Sequence, residues 1–301
     1  MNNEAKPTSA TPSHLPGAMG TTLSVGSGAA DDVLCRNDDS RQGGALIINA
    51  DDWGRDRVNT DRTFQCILRE TVSSVSAMVF MEDSERAAAV ARERGIDAGL
   101  HLNFTTRFSA PRAPAQLIEY QQRLCRYLQR HRFARVAFHP GLRRFFEYVV
   151  ATQRNEFCRL YGAEPQRIDG HHHMHLCTNV LLQGLLPPGT VVRRNFSFQP
   201  GEKGVVNRLY RLLVDRMMAR RHCHTDFFFS LPPLAPAGRL QRIFSLARQF
   251  AVEVETHPVN PEEHRFLAGG EIFRHLGDLP IARCFASRTR ASLVSRQNSS
   301  C

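Results

Sequence analysis

The sequence has no apolar run approaching the ~18 to 20 residues that a membrane-spanning helix requires. It also has no CxxC pair: its eight cysteines are scattered at positions 35, 66, 125, 158, 177, 223, 284 and 301. That scatter matches neither a disulfide framework nor a zinc ribbon, so reduced thiols in a cytoplasmic protein are expected. Neither GxGxxG nor a Walker-type loop occurs, which removes the usual sequence support for a nucleotide site. No internal repeat is visible. The opening stretch, MNNEAKPTSATPSHLPGAMGTTLSVGSG, has no basic n-region and no apolar h-region, so it does not read as a signal peptide.

The composition is that of a globular protein, 42% apolar and 23% charged. A length of 301 residues accommodates one α/β barrel of about 250 residues. Lys and Arg total 39 against 29 Asp and Glu, a formal charge of +10 that favours anionic partners without naming them. Ser, Thr, Pro and Gly dominate the N-terminus, so residues 1–43 are expected to be a disordered tail, with Met19 as an alternative start. Residues 286–301, rich in Arg and Ser, read as a flexible C-terminal tail, which leaves 44–285 as one domain.

Within that domain the pattern alternates. Ala45 to Ile48 is a short apolar run ending in polar residues and a glycine, as a buried strand followed by a loop would be. NTDRTFQCILRE has helical spacing, SSVSAMVF reads as a strand, and DSERAAAVARERG as a helix with a capping aspartate and a terminal glycine. DAGLHLNF follows as a strand. Residues 114–161 read as mostly helical with a break at Pro140 and Gly141. RIDGHHHMHL, TVVRRNF and AVEVETHP read as further strands, and RFLAGGEIFRHLG as a last helix. Alternation of this kind predicts an α/β fold, a single barrel-like domain on a mostly parallel sheet.

Polar groups stand where these strands end, which is where parallel α/β sheets build their sites. INADDWG places Asp51 and Asp52 side by side. Adjacent carboxylates repel unless a cation or shared proton offsets them, although an isolated pair also suits a solvated turn or helix cap. His101, in GLHLNF, alone would suit a hydrogen-bonded core histidine. In DGHHHMHL an extended chain would put Asp169, His171, His173 and His175 on one face and turn His172 and Met174 away. VEVETHP puts His257 at one more strand end, where a proton donor can stand. One carboxylate with two or more imidazoles is a common divalent-metal set, with open positions for water.

INADDWG, GLHLNF, DGHHHMHL and ETHP, in that order and at these separations, resemble the YdjC-like carbohydrate deacetylases, which include chitooligosaccharide deacetylases and a hopanoid-associated branch. The resemblance spans roughly residues 44–285. It implies a (β/α)-barrel-like fold and metal-dependent removal of an N-acetyl group from a sugar, with Mg or Zn as the divalent ion. By that resemblance Asp51 matches the catalytic base, and Asp52, His101 and His171 match the metal ligands. His257 falls where a late histidine can serve as general acid. His173 and His175 are expected to support the ligands or touch substrate, and His172 to be structural. The chain departs at Trp53, where the family usually has Phe, and at HPVNP, which replaces a more usual His-Pro-Gly and bears on the sugar contacts near His257.

A basic helix is expected over residues 203–221, with Leu209, Leu212, Leu213 and Met217 in one stripe and Arg208, Arg211, Arg216, Arg220 and Arg221 largely elsewhere. It suits a barrel helix with a solvated basic face, or contact with an anionic membrane surface. Nucleic acid is not expected, since no binding motif accompanies the charge. The expected partners are thus an N-acetylated carbohydrate, an anionic membrane surface and, as an open possibility, a second copy in a homodimer. The rivals are another metal-dependent hydrolase, such as a phosphoesterase, and a glycan- or membrane-binding protein without activity. Because the tail carries none of the matched motifs, a chain starting near residue 42 is expected to fold and keep its activity on a soluble N-acetylated sugar, measured as acetate release. Loss of activity in a folded truncated chain would assign the tail a role.

Overall fold

The computed structural model describes residues 44–130, 133–198, 202 and 204–285, and the structural statements below concern those residues. The expected tails, 1–43 and 286–301, lie outside them. The element order is β1 (Ala45–Trp53), α1 (Arg57–Leu68), β2 (Ser74–Ala77), α2 (Ser84–Arg94), β3 (Ala98–Leu102), α3 (Ala115–Arg130), α4 (Arg143–Tyr161), β4 (Arg167–Gly170), α5 (Thr178–Gln183), β5 (Val191–Val192), α6 (Val205–Ala219), β6 (Phe227–Ser230), α7 (Ala237–Ala247), β7 (Ala251–Thr256), α8 (Pro261–Ala268) and α9 (Ile272–Leu276). The seven strands form one sheet in the order β5-β4-β3-β2-β1-β7-β6, with every pairing parallel.

The sheet curls until its edges meet. Val192 N–H donates to Cys223 O at 2.8 Å, and Ser197 N–H to Phe228 O at 2.8 Å, so chain around β5 caps chain around β6. An exposed row of unpaired amides is thereby removed from either edge. Leu46, Ile48, Leu100, Leu102, Val252 and Val254 face outward and are buried under the helices.

The inward face is polar. Asn49, Asp51, Ser74, Ser76, His101, Arg167, Asp169, Arg193, Glu253 and Glu255 are all buried. Barrel interiors are usually filled by branched apolar side chains; here charge fills the space and has to be compensated within it. The Arg193 guanidinium does this. Its Nε donates to Glu253 Oε1 at 2.7 Å, and Nη1 and Nη2 form a fork on Asp51 at 2.7 Å each. Asp169 Oδ2 lies 2.8 Å from Nη2, Glu255 Oε2 3.4 Å from Nη1, and the Phe228 ring covers the group at 4.9 Å.

Several expectations change. The α1 helix starts at Arg57, two residues before the predicted start, because Asp56 caps it by accepting from Asn59 N–H at 2.9 Å. Asp83 does precede α2, but its carboxylate holds Arg86 at 2.6 Å and makes no cap bond. Gly95 ends that helix as expected, at φ 63°. The β6 strand and the α7 helix were not anticipated, and the last expected helix is two, broken at Gly269 and Gly270. The long strand expected over 167–176 stops at Gly170, because His172 and His173 adopt left-handed φ of 54° and 57°. A Cβ on Gly170 would lie 3.0 Å from His175 N, so the turn needs glycine there. Cys66, Cys125, Cys158, Cys177 and Cys223 form no disulfide, as expected, and burial pushes the Cys66 and Cys177 thiols up to about 12. No helix among the described residues is long and apolar enough to cross a membrane.

Replacing Arg193 by Met would take the paired cation from four buried carboxyl groups, leaving Arg167, 3.8 Å from Asp169, as the neighbouring guanidinium. Removing one partner of a buried pair typically costs about 3–5 kcal/mol. The urea midpoint of Arg193→Met is expected to fall accordingly, and an unchanged midpoint would show that the carboxyls neutralise themselves.

Candidate metal and catalytic site

The site begins with an irregularity in β1. Asn49 pairs with Ser74 and Ala50 with Val75, but the next partner of Ala77 is Trp53, so β1 carries one extra residue. A bulge of this kind re-aims a side chain. Asp52 takes the left-handed conformation at φ 63°, uncommon for a residue with a Cβ. Strict strand alternation would send Asp51 and Asp52 to opposite faces; with the bulge both line the same cavity.

The two aspartates differ in their partners. Asp51 Oδ1 accepts from Asn49 Nδ2 at 2.8 Å and from Arg193, while Oδ2 accepts from Arg193 and lies 4.0 Å from His101 Nε2. Burial would raise its carboxyl, but Arg193 and His101 outweigh that and hold it well below the usual carboxylate range. Asp52 Oδ2 accepts from Arg55 at 2.8 Å. Its Oδ1 is buried, 2.9 Å from His171 Nδ1 and 3.5 Å from His101 Nε2. Here too burial raises and the two imidazoles lower, so Asp52 is an anion at neutral pH.

His101, on β3, meets Asp169 on β4 because the two are register partners. Nδ1 lies 2.8 Å from Asp169 Oδ1, which leaves Nε2 facing the aspartates with no partner. His171 follows β4 directly, and its ring crosses that of His101 edge-on at 5.6 Å. His257 follows β7, where its backbone N–H donates to Glu263 Oε2 at 2.9 Å. Asp51, Asp52, His101, His171 and His257 all line one cavity of about 880 Å³. All five residues singled out from the sequence therefore come together.

The neighbouring histidines do not share one strand face as expected. His172 does not turn away; it lines the cavity with Nδ1 3.0 Å from Thr105 Oγ1. His173 also lines the cavity, Nε2 3.6 Å from Glu255 and its ring 4.7 Å from Phe196. His175 folds beneath, its Nε2 2.9 Å from Arg193 O, and burial pushes it down to about 4. Sequence reasoning passed over Arg193, Glu253 and Glu255. The signal was present as two glutamates at alternate positions of an otherwise apolar strand.

Two sets of side chains have the spacing of metal ligands: Asp52, His101 and His171, and Asp51, His101 and Asp169. The carboxylates of the second are already bonded to Arg193, whose charge would repel a cation. The first set brings Asp52 Oδ1, His171 Nδ1 and the unpartnered His101 Nε2 to one point, which fits a bound ion. Asp169 behind His101 fixes the tautomer that leaves Nε2 free, as carboxylates behind ligating histidines do.

The profile of YdjC-like proteins matches residues 45–266. The chain belongs to the YdjC-like family. A chitooligosaccharide deacetylase of Enterobacter is 31% identical over 134 residues, 44% of this chain and 50% of that protein. A carbohydrate deacetylase of Mus musculus is 28% identical over 176 residues, 53% of this chain and 52% of that one. A chitooligosaccharide deacetylase of Klebsiella pneumoniae is 26% identical over 245 residues, 78% and 89%. The chain thus spans about half the length of the first two relatives and most of the third. A crystal structure from Enterococcus faecalis, described as a candidate cellobiose-phosphate cleavage protein, shares the fold with a TM-score of 0.54 at 17% identity, over 79% of this chain and 96% of that one.

If Asp52, His101 and His171 hold the ion together, His101→Ala is expected to lose most of its bound metal, because each ligand carries a large share of the affinity. Metal content by elemental analysis checks this; near-stoichiometric metal in His101→Ala would reject the set.

Proposed function

We propose that the protein is a metal-dependent carbohydrate N-deacetylase, hydrolysing the N-acetyl amide of an N-acetylated sugar, oligosaccharide or glycolipid. The observation that carries this reading is the convergence of Asp52, His101 and His171 beside Asp51 and His257 in one cavity. The relatives named chitooligosaccharide and carbohydrate deacetylases agree with it. Mg and Zn are the candidate ions, and two imidazole nitrogens weight the donor set towards zinc. A cytoplasmic location and a homodimer belong to the reading as expectations from the sequence.

A bound divalent ion would polarise the amide carbonyl and ease deprotonation of water at that point. Asp51 acts as general base through Oδ2, since Oδ1 is already occupied by two donors. Arg193 fixes the carboxylate and keeps it ionised, so it is available as an acceptor at neutral pH. Hydrolysis forms a C–O bond at the acetyl carbon and breaks its C–N bond. Asp51 takes the proton of the attacking water, and His257 gives one to the leaving amine nitrogen. His172, His173 and Glu255 line the remaining wall and contact the sugar.

Asp51→Asn is expected to keep the ion and the fold yet lose about 10²–10⁴-fold in turnover, the usual range for a lost general base. The assay is acetate release from a panel of N-acetylated oligosaccharides and glycolipids, with and without chelator, alongside metal content. Wild-type turnover, or an Asn variant without metal, would end the role of Asp51. Phosphate released in place of acetate from candidate substrates would move the enzyme to the phosphoesterases.

A further inference from the structure

Helix α6 presents to solvent what such a helix normally buries. Val205, Val206, Leu209, Leu212 and Leu213 are 78, 83, 65, 47 and 58% exposed. At 3.6 residues per turn these five lie within an arc of about 120°. The opposite side is anchored: Val214 and Met218 are buried, Asp215 pairs with Arg194 at 2.9 Å and with Asn195 at 2.9 Å, and Arg211 lies over the Phe198 ring at 4.9 Å. Leu209, Leu212 and Leu213 of the stripe read from the sequence therefore lie on the outer face, which the reading as a barrel helix with a solvated basic face did not expect.

Charge decides what covers it. Arg216 and Arg220 are exposed and continue the same arc into the last turn, and Arg208 flanks it. Between residues 204 and 221 five arginines face a single acid, Asp215, which is already buried and paired. A second copy seated through this face would bring the same arginines and no free acid to pair with them. An apolar stripe bordered by arginines matches instead an anionic bilayer surface, where side chains enter the acyl boundary and guanidiniums meet lipid phosphates.

We propose that α6 is an interfacial helix that docks the protein on an anionic phospholipid surface. The apolar half of α6 lies at the catalytic end of the barrel. Arg211 Nη1 reaches Asn195 Oδ1 at 3.4 Å just beyond β5, whereas Arg221 O accepts from Gly189 N–H before β5 begins. Phe196, one residue from Asn195, meets the His173 ring of the cavity wall edge-on at 4.7 Å, so the docked face adjoins the cavity. Docking does not depend on the reaction catalysed.

The test is flotation of the full chain with vesicles of phosphatidylglycerol and phosphatidylcholine, and with phosphatidylcholine alone. Binding is expected only with the anionic lipid and is expected to weaken as salt rises. Leu209→Ser with Leu213→Ser should lower partitioning at least about tenfold through lost apolar burial, with an unchanged thermal midpoint because both sites are exposed. Arg216→Gln with Arg220→Gln should lower it by about 10–30-fold, at roughly 1 kcal/mol per charge. No partitioning on anionic vesicles at low salt, or partitioning indifferent to both pairs, overturns the proposal. If the leucine pair instead abolishes self-association seen by sedimentation without any vesicle binding, the face belongs to a second copy and the proposal fails.

Discussion

A single buried guanidinium sets the terms on which this barrel can hold charge. Arg193 meets carboxyl groups from β1, β4 and β7. The balance does not require four anions. Asp51 and Asp169 are held in the ionised form, chiefly by Arg193 against their burial. Glu253 and Glu255 are pushed the other way, by burial first and then by neighbouring carboxylates. The four acids are thus pushed in two directions, Asp51 and Asp169 down and Glu253 and Glu255 up. A buried network of this kind adds little net stability over apolar packing. What it supplies is orientation: Asp51 is fixed by a two-pronged contact, and Asp169 fixes His101.

That orientation would be useless if β1 and β4 continued as regular strands. Each departs from regularity where its side chains matter, β1 by a bulge with Asp52 at positive φ and β4 by a turn with His172 and His173 at positive φ. Residues held in sparsely populated backbone regions cost of order 1–3 kcal/mol each and persist where the surroundings over-determine them. Here the surroundings are the packed barrel end, and the result is that Asp52 and His171 face one another from different strands. Asp52 Oδ1, His101 Nε2 and His171 Nδ1 converge at that point, a donor set that could hold a cation.

The sequence by itself determined the α/β class, the parallel sheet and the strand ends at which Asp51, Asp52, His101, His171 and His257 stand. Those follow from local patterns: apolar runs of strand length, helical spacing between them, and polar residues where strands stop. The family resemblance added roles to the same residues. Tertiary structure alone decided the rest. Strand alternation is a local rule, and it failed for the histidine cluster because the fold bends the chain at Gly170, so that His172 enters the cavity and His175 passes beneath it. Arg193 lies 142 residues from Asp51, and nothing local announces that a basic residue after a short strand will sit inside a ring of acids. The stripe on α6 was legible as a stripe, but periodicity fixes only which residues share a face, and only the packing of the inner face against residues 194–198 decided which way it turns.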